Sequence, residues 1–102
     1  TSLTIGGVIY SQAQILPYME ESPKDKTTTI FRALVAAKLN VLIGNDSSCI
    51  ASTISNADAW LVANGPVGAG VRANSAAWRA GEPLYRVLDN YNNGMLCAPG
   101  RD

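Results

Sequence analysis

The chain has 102 residues, 47% hydrophobic and 16% charged, with eight Lys+Arg against eight Asp+Glu and no histidine. That is one domain's worth of foldable sequence, with no charge excess to attract nucleic acid or an anionic membrane. The absence of histidine removes the commonest general base, the commonest metal ligand and every histidine-dependent triad.

In chain order, Leu3-Thr4-Ile5 and Val8-Ile9-Tyr10 are β-prone and flank Gly6-Gly7, which predicts a hairpin over about residues 1–10 closed by a two-residue turn. Ser11 with Gln14 forms a capping-box pattern, so a short helix is expected over about 12–21, kinked or split by Pro17. Residues 22–25 are a polar breaker. The strongest helix is expected over 27–43. Ile30, Leu34, Ala37 and Val41 follow helical spacing, Phe31, Val35, Leu39 and Leu42 form a second stripe, and Gly44 sits at the C-cap. Asp46 or Ser47 is expected to cap a helix over about 47–63 with Ile50, Ile54, Ala57 and Leu61 inward, ended by Asn64, Gly65 and Pro66. Residues 65–74 are rich in breakers. Ser75 is expected to cap one or two turns, Gly81 to interrupt, and Pro83 to open a last helix carrying Leu84, Val87, Leu88 and Tyr91, closed by Gly94. The fold class expected is mainly α: a single domain over 1–102, a compact bundle of four to five short helices around the 27–43 helix, with the small hairpin packed on it.

The two cysteines, Cys49 and Cys97, are too few for a four-ligand zinc site and too far apart for a redox C-x-x-C pair. They either form a disulfide or are two buried thiols. A disulfide is favoured, because closing a loop of about 48 residues is worth roughly 4 kcal/mol to a small extracytoplasmic domain. No apolar run approaches the length needed to span a bilayer, so no membrane insertion is expected. The chain opens at Thr1 with no signal peptide, which reads as a processed chain or a domain from a longer one. Asn45-Asp46-Ser47 fits the N-glycosylation pattern.

Each candidate chemistry meets a plainer explanation. Gly65, Gly68 and Gly70 lack the Lys-Ser/Thr ending of a phosphate loop and follow a helix, so they read as a connector. Asp58, Glu82 and Asp89 read as capping or solvated charges, with Asp89 placed to pair with Arg86. No S-x-x-K motif supplies a base to a serine, and residues 45–48 lack calcium-loop spacing. Trp60 and Trp78 read first as core, second as contacts for a glycan or partner. No cofactor and no metal are expected. Residues 1–10 carry no charge or proline to guard the hairpin's edges, which points to strand addition by another subunit or an upstream domain.

The stretches Leu39-Asn40-Val41-Leu42-Ile43-Gly44-Asn45-Asp46-Ser47-Ser48-Cys49-Ile50 and Leu88-Asp89-Asn90-Tyr91-Asn92-Asn93-Gly94, with Leu96-Cys97-Ala98-Pro99, resemble a helical C-terminal domain of secreted bacterial proteins. Asp58-Ala59-Trp60-Leu61, Gly81-Glu82-Pro83-Leu84 and the opening Leu3-Thr4-Ile5-Gly6-Gly7-Val8 fit the same pattern. The resemblance implies an extracytoplasmic setting and a paired Cys49 and Cys97, and no activity. The function expected is a non-enzymatic extracellular or cell-surface module that contacts protein, as a structural subunit or filament component. The contact residues expected are Trp60, Trp78, Arg72, Leu3 and Ile5. The alternatives are a secreted ligand- or glycan-binding module and, third, a small carboxylate-dependent hydrolase.

Overall fold

A computed structural model describes residues 2–20 and 24–98. Residues 22 and 23 of the expected breaker, and 99–102 of the tail, lie outside the described residues. The fold is mainly helical, with two strands and four helices: β1 (Ser2–Ile5), β2 (Val8–Ser11), α1 (Gln12–Glu20), α2 (Lys26–Leu42), α3 (Ala51–Asn64) and α4 (Ala76–Asn92).

β1 and β2 pair antiparallel with Ile5 opposite Val8 and Leu3 opposite Tyr10. Gly6 and Gly7 take φ of 58° and 78°, the left-handed pair that a two-residue turn requires. The capping box forms at once: the Ser11 N–H donates to Gln14 Oε1 (2.8 Å) and the Gln14 N–H to Ser11 Oγ (3.2 Å). Pro17 lies inside α1 without dividing it.

α2 is the centre of the core. Ile30, Phe31, Leu34, Val35 and Ala37 are buried on it, and α3 and α4 pack against it and each other. Tyr10 and Tyr18 meet Phe31 edge-on at 5.2 and 5.3 Å between ring centroids. The C-terminus of α2 closes as a Schellman motif. Gly44 takes φ of 96°, its N–H donates to the Val41 carbonyl, and the Asn45 N–H donates to the Asn40 carbonyl. α4 ends the same way at Gly94, with the Met95 N–H on the Asn90 carbonyl.

Two expected boundaries are corrected. α3 begins at Ala51 rather than near residue 47, and Asp46 caps only the preceding turn, accepting from the Ser48 N–H at 2.8 Å. The Asp46 carbonyl is instead held by the distant Tyr91 hydroxyl, and the Ser47 carbonyl accepts the Ile50 and Ala51 N–H groups that lead into α3. The larger correction is α4, which runs unbroken from Ala76 to Asn92 through Gly81 and Pro83. Ser75 is its N-cap as expected, accepting from the Trp78 N–H at 3.1 Å. Continuity there is imposed by tertiary packing. Trp78, Leu88 and Tyr91 are all buried along the helix, and that burial outweighs the one backbone bond Pro83 forfeits.

Gly81 on α4 lies directly against the Trp60 side chain of α3. A Cβ there would stand 2.7 Å from Trp60 Cε2 and 2.8 Å from its Nε1. The indole cannot move aside, because its N–H donates to the Ala77 carbonyl at 2.8 Å and its ring meets Trp78 edge-on at 5.9 Å. Gly81→Ala would raise intrinsic helix propensity, yet is expected to destabilise the protein by about 1–2 kcal/mol through overpacking. Denaturant unfolding followed by tryptophan fluorescence checks it, and a stabilised variant would refute the close packing.

Candidate functional site

The hairpin is seated on the helices by one polar cluster. Asp58 on α3 accepts the Gly6 N–H through Oδ1 (2.8 Å) and pairs with Lys38 on α2 through Oδ2 (2.7 Å). The Lys38 ammonium also donates to the Thr4 carbonyl on β1. Gly6 sits so close to α3 that a Cβ would fall 2.6 Å from Leu61 Cβ. Asp58, one of the carboxylates considered for catalysis, therefore holds the turn in place. The hairpin edge that carries no charge of its own is guarded from outside, since Lys38 occupies the outward carbonyl of Thr4. At the far end of β2, Gln14 takes the Ser11 N–H.

Two apolar grooves flank β1 and share Leu3. One, of about 360 Å³, runs between β1, α1 and α2 and is lined by Leu3, Ile15, Leu16, Met19, Val35 and Leu39, with Gln12 at its edge. The other, of about 290 Å³, lies between β1, α2 and α3 and is lined by Ser2, Leu3, Thr4, Lys38, Val41, Leu42 and Ile54. Leu42 is 62% exposed, Ile43 72%, and Leu16 is exposed as well. The second stripe of α2, expected inside, thus ends at the surface. That stripe was wider than two helix neighbours can cover, and its width was the signal in the sequence.

The expected contact residues separate. Leu3 lines both grooves. Arg72 is exposed on the 65–74 segment. Ile5, Trp60 and Trp78 are corrected: they are 1%, 7% and 4% exposed and belong to the core, so no partner or glycan reaches them in this fold. The 65–74 segment is bound down over the start of α2 as a strap. Asp25 accepts from the Val71 and Gly70 N–H groups (both 3.0 Å), and the Lys26 N–H donates to the Val71 carbonyl.

Cys49 and Cys97 form a disulfide with Cα atoms 6.0 Å apart. It fixes the turn before α3 to the tail after α4. The same turn is held by the Tyr91 hydroxyl on the Asp46 carbonyl (2.7 Å) and by a chain of amides. Asn45 donates to Asn40, which is fully buried; Asn40 donates to Asn92, and Asn92 to the Ala33 carbonyl. The Asn45 nitrogen that would carry a glycan is the atom donating to Asn40. Burial, then the Asp46 charge, raises the Tyr91 hydroxyl above the ordinary phenol range.

Glu82 faces Arg86 at 3.5 Å on the surface of α4. Among the described residues no group of three or more Cys, Asp or Glu side chains is placed to hold a metal ion. No helix among them is long and apolar enough to cross a membrane. No protein-family model, no curated protein and no solved structure matches this chain.

Proposed function

We propose that this protein is a non-enzymatic interaction module that works outside the cytoplasm, as a subunit of a cell-surface assembly formed by copies of the chain. The observation that carries this reading is the pair of apolar grooves meeting at Leu3 beside β1, lined in part by exposed Leu16 and Leu42, with exposed Ile43 following Leu42 in the chain. A chain of this size that leaves several large aliphatic side chains around two grooves has surface that association would remove from water. The Cys49–Cys97 disulfide supports an oxidising setting, as does the resemblance to secreted bacterial domains. Two of the three carboxylates weighed for catalysis have structural partners: Asp58 seats the hairpin and Glu82 pairs with Arg86.

Sedimentation velocity and electron microscopy of the oxidised protein over a concentration series test the reading. Self-association is expected, and Leu42→Lys with Ile43→Lys, at exposed positions at the C-terminal end of α2 where a cation suits the helix dipole, is expected to abolish it. A strictly monomeric protein at high concentration sinks the proposal, as does assembly indifferent to the double variant. The glycan-binding alternative used Trp60, Trp78 and the 65–74 loop; burial of the two tryptophans speaks against it, and the loop alone is left to carry it.

A further inference from the structure

A third groove, of about 490 Å³, lies between α2 and α4, and its lining differs in kind. Ala33 and Ala36 are among its lining residues, and single methyl groups there occupy little of the trough. Lys26 and Arg32 stand on the α2 wall, about 9 Å apart along the axis at helical rise. Asp89 stands on the α4 wall.

The state of Asp89 is the informative feature. Its spacing predicts a pair with Arg86, yet Arg86 reaches back to Glu82, and Asp89 has no ion pair within 4.0 Å among the described residues. Lys26 has no carboxylate within that distance among the described residues either; its ammonium lies 5.6 Å from the centre of the Trp78 ring. The opposite charges of Lys26 and Asp89 thus line one trough from its two walls.

From this arrangement the geometry points to a binding site for a small zwitterion, from a free amino acid to a short peptide. Its ammonium group lies on Asp89, its carboxylate on Lys26, and a small apolar portion on the two alanines. A volume of this size is in the range of sites for such molecules. A ligand carrying only one of the two charges leaves the other wall's charge partly dehydrated and unmatched, so both termini are required. This site shares Met19 with one of the proposed association grooves but neither Leu3 nor Leu42, and its binding test does not depend on assembly.

The test is an amide-resolved NMR titration of the oxidised protein with Gly-Gly, with its N-acetylated and C-amidated forms as the single-charge controls. Saturable shifts at Thr29, Ala33, Ala36 and Asn92 are expected for Gly-Gly below about 10 mM. Each capped form, and each of the variants Asp89→Asn and Lys26→Gln, is expected to weaken binding about tenfold or more. An unchanged melting temperature shows that the variants fold. Absence of saturable shifts, equal shifts from the capped forms, or full binding by Asp89→Asn overturns the assignment.

Discussion

Replacing both Cys49 and Cys97 by serine is expected to lower the unfolding free energy by about 4 kcal/mol, the loop-closure value for a cross-link spanning 48 residues. For a domain of this size that is a loss of roughly 15–30 °C in melting temperature. The substitution isolates the covalent term well, because Cys49 is exposed and Cys97 only half-buried, so serine removes little packing. What the bridge restrains is visible. Ile50 and Tyr91 are fully buried on either side of it, and the turn between α2 and α3 keeps its bonds from Tyr91 and Asn40 without it. The variant should therefore retain its helices and lose protection first in the 93–98 tail, where Ala98 is buried beyond the bridge. Urea unfolding of wild type with and without reductant, beside the double variant, measures the effect. Equal midpoints for oxidised and reduced protein would mean that the bridge restrains little of the unfolded chain.

The sequence was most legible where structure is local. The hairpin follows from two β-prone triplets around Gly6-Gly7, the start of α1 from Ser11 and Gln14, and the ends of α2 and α4 from Gly44 and Gly94. It misled where distant contacts override local preference. Gly81 and Pro83 read as an interruption and a new start. In the fold Gly81 is the gap that admits the Trp60 indole, a reason carried by a residue 21 positions away on another helix. Asp46 and Ser47 read as a cap for α3, and the turn they occupy is fixed by Tyr91 and Asn40 instead. Asn40 read as a break in an apolar run. It is buried because Asn45 and Asn92 satisfy its amide from either side, and no spacing rule announces such a chain. The candidate association surface was half legible: Leu3 was identified, while Ile5 and both tryptophans turned inward. Lys38, the guard of the edge, lies 34 residues from Thr4 and gave no local sign.

Asp25 is expected to be the most costly single polar residue to remove, at about 3 kcal/mol for Asp25→Ala. One carboxylate there does the work of a helix cap and of a clasp. Oδ1 accepts the Thr27 N–H (2.9 Å), the Thr27 hydroxyl (2.8 Å) and the Val71 N–H, and Oδ2 accepts the Gly70 N–H. Thr27 is itself fully buried and accepts the Gly68 N–H through the same hydroxyl, so losing Asp25 strands a buried donor and frees the strap over α2. Asp25→Asn should recover only part of the loss, because its NH₂ must face an N–H wherever it is placed. The charge makes the contribution depend on pH. Burial raises the Asp25 carboxyl, but the bonds from Thr27, Val71 and Gly70 outweigh it and hold the group below the usual carboxylate range. A carboxylate depressed in the folded state stabilises fully above its unfolded value of about 3.9, and that stabilisation is lost as the pH falls through the folded value. Asp46 is lowered too, by its bonds to Ser48, so the wild-type curve alone mixes two groups. The difference between wild type and Asp25→Asn cancels Asp46. It should be constant above about pH 5 and shrink as acid protonates the clasp. Urea midpoints of the two proteins at neutral pH and near pH 3 give the answer. A gap of the same size at both would mean that the strap is held by shape, with the charge of Asp25 contributing nothing.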